Sequence, residues 1–226
     1  MTAETSPEAL AAPHAAPASR WIELLALYLV APAAYAAWGL EIVRPIPIVI
    51  GASLAAWWTL RRDPSFDRGE LWRWSAVREA FPGIALRVLA GGLALVGLVL
   101  VTAPESFLDF PRQRPLLWAF VMVAYPIFSV YAQELLWRTF FFHRYAPILS
   151  ERALWIASGL LFGFMHVVFR HWIAVAATLV GGLFFAWSYR RHRSLAAVCV
   201  EHALFGCLLF TIGLGTYFYS GAAALR

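Results

Sequence analysis

Seven stretches of this chain are too apolar, over too long a run, to sit in water: residues 21–40, 45–60, 83–103, 115–142, 152–169, 172–189 and 194–218. A helix needs about 20 mainly apolar residues to cross the hydrocarbon core of a bilayer. Inside that core the backbone must satisfy its own hydrogen bonds, which an α-helix does. The runs therefore predict an all-α fold: a polytopic transmembrane helix bundle of about seven spans, with six to eight compatible with the soft boundaries. The second run is short, and the fourth is long enough to tilt or to project beyond the bilayer. Composition agrees, with 62% hydrophobic residues and 14% charged, where a soluble domain carries about 25% charge.

All 18 basic residues are arginine, set against 13 acidic ones. A nucleic-acid surface gathers its cations on a water-exposed face; here they fall between apolar runs, so no nucleic-acid partner is expected and the charges report topology. Short cytoplasmic loops are enriched in arginine and lysine. Seven spans put Arg61, Arg62, Arg68, Arg73, Arg78, Arg144, Arg152, Arg190, Arg191 and Arg193 on one side, and Arg44, Arg112, Arg114, Arg170 and Arg226 on the other. That asymmetry predicts a multi-pass protein of the cell (inner) membrane with a cytoplasmic N-terminus.

Residues 1–20 are rich in Ala and Pro and read as a disordered tail, without the basic-then-apolar pattern of a secretory signal. Residues 21–114 hold the N-terminal membrane helices, 115–218 the part where chemistry gathers, and 219–226 a short C-terminal tail. Between the second and third runs, residues 66–81 place Leu71, Trp74, Val77, Arg78 and Phe81 at roughly helical spacing. The pattern predicts a helix lying in the membrane interface; a linker packed on the bundle fits it equally well. Cys199 and Cys207 stand eight apart in one apolar run and suggest packing rather than a disulfide or a zinc ribbon.

Ionisable side chains inside a bilayer cost roughly 2.5–3.5 kcal/mol each on insertion scales and mark functional sites. The last four runs hold few of them. The fourth has Glu134 and Arg138 with the polar Gln133 beside them, the fifth His166 with Phe162 four residues before it, and the seventh Glu201 and His202. The sixth has none, but its Gly181–Gly182 pair permits close backbone approach. Glu134 and Arg138, four apart, share a helix face in the favourable order for pairing, whereas Gln133 points about 100° away. Phe162 stands one turn before His166, where its ring walls the imidazole. For Glu134 a general base, a metal ligand and a plain ion pair with Arg138 are all open. Glu201 is placed either to orient the imidazole of His202 or to supply a carboxylate.

The succession QELLWR, FGFMH and EHALFG resembles the CPBP family of intramembrane proteases, which includes CaaX endopeptidases and bacterial Abi-type proteins. That family carries Glu-Glu-x-x-x-Arg, Phe-x-x-x-His and His-x-x-x-Asn motifs on successive helices. The matching positions are Gln133, Glu134 and Arg138, then Phe162 and His166, then His202 and Gly206. The resemblance implies an endopeptidase acting on a membrane-associated protein or peptide, with Gln133, Glu134, Arg138, His166 and His202 as catalytic positions and Phe162 and Gly206 against the substrate. Two positions depart from it. Gln133 stands where the family has its water-activating glutamate, and Gly206 where it has an oxyanion-holding asparagine.

Two schemes fit these residues. Without a cofactor, a carboxylate and His166 activate water while His202 supports the oxyanion. With zinc, Glu134, His166 and His202 form a three-ligand catalytic set, although the contiguous His-Glu-x-x-His of soluble zinc proteases is absent. The resemblance favours the first. A rival class is a catalytically impaired scaffold used for binding or bacteriocin-type immunity, for which Gln133 and Gly206 speak. A small transporter requires paired broken helices near the midplane, and none is visible.

Overall fold

The computed structural model describes residues 18–38 and 45–218. Residues 1–17 and 219–226, which make up most of the two expected tails, lie outside the described residues, as do 39–44. Among the described residues there is no strand; the chain is a bundle of seven long helices. They are α1 (Ala18–Trp38), α2 (Pro45–Arg62), α3 (Trp74–Thr102), α4 (Pro115–Tyr145), α5 (Glu151–Phe169, ending in a 3₁₀ turn), α6 (Trp172–His192) and α7 (Leu195–Ile212). All but α2 are long and apolar enough to cross a membrane. The protein is a multi-pass membrane protein.

Its outer surface agrees with that environment. Leu86, Leu93, Leu116 and Phe120 are all more than 60% exposed, a display that marks an interaction surface when it meets water and that hydrocarbon solvates without cost. Residues 66–81 do not form one helix. Arg68–Leu71 make a 3₁₀ turn capped by Asp67, whose carboxylate accepts from the Gly69 amide at 2.8 Å, and α3 begins at Trp74. The chain therefore enters its third span nine residues earlier than the apolar run alone marks.

Tight reversals set α5, α6 and α7 side by side. Arg170 and Arg193 adopt left-handed backbone at φ 54° and 44°, the conformation that ends helices within one residue. Ser150 and Ser194 cap the following or next helix through their hydroxyls, each accepting from the amide three residues on. The closest helix pair is α5 with α6. A Cβ added at Gly163 would stand 2.8 Å from the Leu179 Cα, and one at Gly182 would stand 2.6 Å from the Gly159 carbonyl oxygen. Gly159, Gly163 and Gly182 therefore let the two backbones touch, while Gly181 faces Phe185 with room to spare.

The core gathers along α4. Tyr28 of α1 makes edge contacts with Trp137, Phe141 and Tyr145 and donates its hydroxyl to the Leu136 carbonyl at 2.9 Å. That carbonyl lies in one of two π-helical turns of α4, at Tyr125–Val130 and Leu135–Phe140. Pro126, which has no N–H to offer, sits in the first. Such widened turns occur disproportionately at functional sites, and these two flank Gln133 and Glu134.

Candidate active site

Helix α4 carries Glu134 into the centre of the bundle, where no solvent reaches it. Its two oxygens have separate partners. Oε1 lies 2.8 Å from Nδ1 of His202 on α7, and Oε2 lies 3.1 Å from Nε of Arg138 one turn on. The second contact is an ion pair by distance and not a linear hydrogen bond. Arg138, equally buried, donates NH1 to the Ser158 hydroxyl at 2.8 Å, and that hydroxyl donates to the Trp137 carbonyl at 2.5 Å. The guanidinium also lies 4.8 Å from the centre of the Phe162 ring, a cation–π contact. A buried carboxylate and a buried guanidinium are each stable only because they meet.

His166 and His202 have different hydrogen-bonding positions. Nδ1 of His166 is 2.8 Å from the Phe162 carbonyl; a carbonyl only accepts, so Nδ1 carries the proton and Nε2 keeps a lone pair. His202 presents Nδ1–H to Glu134, and its Nε2 is 3.0 Å from the hydroxyl of Tyr125. The His202 ring is stacked on Phe185 of α6 at 4.7 Å, and so α6 serves the site without an ionisable residue. Phe162 lies between the two imidazoles, 4.8 Å from His166 and 5.5 Å from His202.

Gln133, Phe162, His166, His202, Tyr125 and Gly206 border one cavity of about 760 Å³. Glu134, Arg138 and Glu201 do not border it. Gln133 donates its amide to the Ser129 hydroxyl at 2.7 Å, and its buried Oε1 has no protein partner. Away from this polar end the walls are apolar. They include Leu98, Phe128, Val180 and Phe184, each more than 40% exposed on the outer surface of the bundle. The cavity thus opens among exposed apolar residues.

The structure separates the candidate residues by role. Glu134, considered above as base or ligand, is turned wholly toward His202 and Arg138. Glu201 points away from the imidazole beside it: its Oε1 accepts from Arg87 Nε at 2.5 Å, while Arg87 NH2 donates to Ser188 at 2.9 Å. Among the described residues no three His, Cys, Asp or Glu side chains gather to hold a metal ion. Glu134 and His202 face each other as acceptor and donor, and His166 commits Nδ1 to a carbonyl, so the zinc set Glu134, His166 and His202 is not gathered. Arg87 was open to the same argument that singles out Arg138, an arginine within an apolar run. Tyr125, Ser129 and Ser158 carry no signal of that kind.

The family model described as type II CAAX prenyl endopeptidase Rce1-like matches residues 115–208, from the start of α4 through the site-bearing part of α7. No curated protein and no solved structure matches the chain.

Proposed function

Because residues 115–208 match the type II CAAX prenyl endopeptidase Rce1-like family model, we propose that this chain is an intramembrane endopeptidase cleaving a membrane-held protein next to a lipid-modified cysteine. CaaX sequences carry their prenyl group on a cysteine near the C-terminus. An apolar cavity with an exposed apolar side and a polar end offers such a substrate a place for its hydrocarbon and, beyond it, a place for its peptide bond.

The observation that carries this reading is the free Nε2 of His166 at the polar end of the cavity. In the reaction, water attacks the scissile carbonyl carbon and passes a proton to His166 Nε2, which later gives it to the leaving amine. Gln133 cannot take a proton; its side chain borders the same cavity, with an Oε1 that has no protein partner. The Glu134–His202 pair, anchored by Arg138, is the electrostatic arm that favours the negative charge growing on the carbonyl oxygen. Glu134 acts through His202 and does not itself meet the substrate.

One observation favours a second reading, a scaffold that binds without cutting. Neither Glu134 nor Glu201 presents a carboxylate to the cavity, and Gln133 replaces the family's base with an amide. Comparing new protein N-termini in host membranes carrying wild-type protein or His166→Ala, at equal abundance, decides between them. The protease reading expects a set of termini beside C-terminal cysteines that disappears with His166→Ala. Identical termini in both membranes would leave the scaffold reading.

A further inference from the structure

We propose that Tyr125 is the group through which the Glu134–His202 pair reaches the substrate, its phenolic hydroxyl donating to the carbonyl oxygen as that oxygen becomes an anion. The proposal rests on the hydrolytic reading above and assigns the hydrogen-bond donor that reading leaves unnamed.

Three observations converge on this residue. The first is connectivity: Glu134 Oε1 to His202 Nδ1 at 2.8 Å, then His202 Nε2 to Tyr125 Oη at 3.0 Å, forms one unbroken hydrogen-bonded line. Nε2 of His202 is therefore already engaged, and the outermost group of the line is a phenol. The second is position, since Tyr125 borders the same cavity as Gln133 and His166. Its ring is held edge-on by His202 at 6.0 Å and by Phe210 at 5.2 Å. The third is the space it fills. A Cβ at Gly206 would stand 2.3 Å from Tyr125 Cε1 and 2.4 Å from its hydroxyl oxygen. Real Cβ contacts are never so close, so position 206 has no room for a side chain while the tyrosine is there. Gly206 and Tyr125 form a matched pair, in which one helix omits its donor where another supplies one.

The chemistry follows from where the Tyr125 O–H points. At rest, Nδ1–H of His202 donates to Glu134 and Nε2 accepts from the Tyr125 O–H. As the substrate oxygen gains negative charge it becomes the stronger acceptor, and the phenolic O–H turns from Nε2 to it without leaving the phenol. As water oxygen bonds to the carbonyl carbon, its proton moves to His166 Nε2 and the C=O π pair moves to oxygen. That oxyanion accepts the Tyr125 O–H. Collapse re-forms C=O and breaks C–N, and the amine nitrogen takes the proton from His166. Tyr125 ends with the proton it began with.

The test uses purified full-length protein in bilayer nanodiscs and an internally quenched peptide bearing an S-farnesyl cysteine near its C-terminus. Loss of one preorganised oxyanion donor lowers kcat by roughly 10²–10³-fold. Tyr125→Phe keeps the ring against Phe210 and should cut kcat on that scale with KM nearly unchanged and the same melting temperature. Gly206→Asn alone should also lose activity by displacing the ring, whereas Tyr125→Ala with Gly206→Asn should recover at least roughly tenfold over Tyr125→Ala. A merely structural tyrosine predicts wild-type kcat for Tyr125→Phe and no recovery in the double variant. If wild type turns over and His166→Ala does not, while Tyr125→Phe matches wild type, the proposal falls and the protease reading stands. If wild type is no faster than His166→Ala, both fall together.

Discussion

Glu134 has no oxygen left for the cavity, and that single fact redistributes the roles at this site. One oxygen orients His202 and the other balances Arg138, so the carboxylate works as an anchor. Removing one member of a buried ion pair costs about 3–5 kcal/mol because it strands the other charge. Glu134→Gln should accordingly lower the unfolding free energy in detergent on that scale. Glu134→Gln combined with Arg138→Met should lose clearly less than the two single losses summed, as expected for groups that interact. Gln133 differs, because it faces the cavity. Gln133→Glu adds a carboxylate to the cavity that His166 borders, and the cleavage rate should rise and gain a limb that climbs with pH as that carboxyl ionises, since only the deprotonated form takes a proton. An unchanged pH–rate profile in Gln133→Glu would show that position 133 does not reach the attacking water. Gln133, Glu134, Arg138, His166 and His202 were legible as expensive polar groups in apolar runs. Which nitrogen of each histidine holds its proton was not, because a tautomer is set by partners on other helices and on the backbone.

Helices meet here through small residues and buried ions. Gly159 and Gly163, spaced four apart on α5, are a small-residue motif plainly readable in the sequence, and they bring α6 close enough for Phe185 to stack on His202. Gly163→Leu forces its side chain onto the Leu179 backbone, and overpacking of this kind costs about 1–3 kcal/mol. Activity should fall further than stability does, since the Phe185 stack shifts with α6; parallel measurement of melting temperature and kcat checks this. On the other side of α7, Arg87 and Glu201 tie α3 in. Arg87→Ala should destabilise the protein and Arg87→Ala with Glu201→Gln should restore much of the loss, with thermal unfolding as the readout. The entry of α3 at Trp74 shows why helix starts are poorly marked by hydropathy. Asp67 caps a 3₁₀ turn and Trp74 opens the helix while the residues there are still polar, so the helical backbone outruns the apolar stretch.

At the scale of the whole molecule, the cavity joins an exposed apolar side to a polar end, and it is made from six of the seven helices, with α2, α3, α4, α5, α6 and α7 each offering apolar wall or site and α1 holding α4 from behind. Val180 lines the apolar part of the cavity and is more than half exposed. Val180→Trp should therefore raise KM for a lipidated peptide severalfold and leave kcat and the melting temperature near wild type, the signature of lost substrate binding alone. The all-helical bundle, the membrane as solvent and the handful of buried polar residues were determined by the sequence itself, because hydrophobic length and the cost of burying charge are properties of short segments. The tertiary structure alone decided that Glu134 is an anchor, that Glu201 belongs to Arg87, that Tyr125 fills the space Gly206 leaves, and that apolar wall and polar end share one cavity. Each of those depends on side chains brought together from helices far apart in the chain, and no local spacing encodes a distance across the bundle.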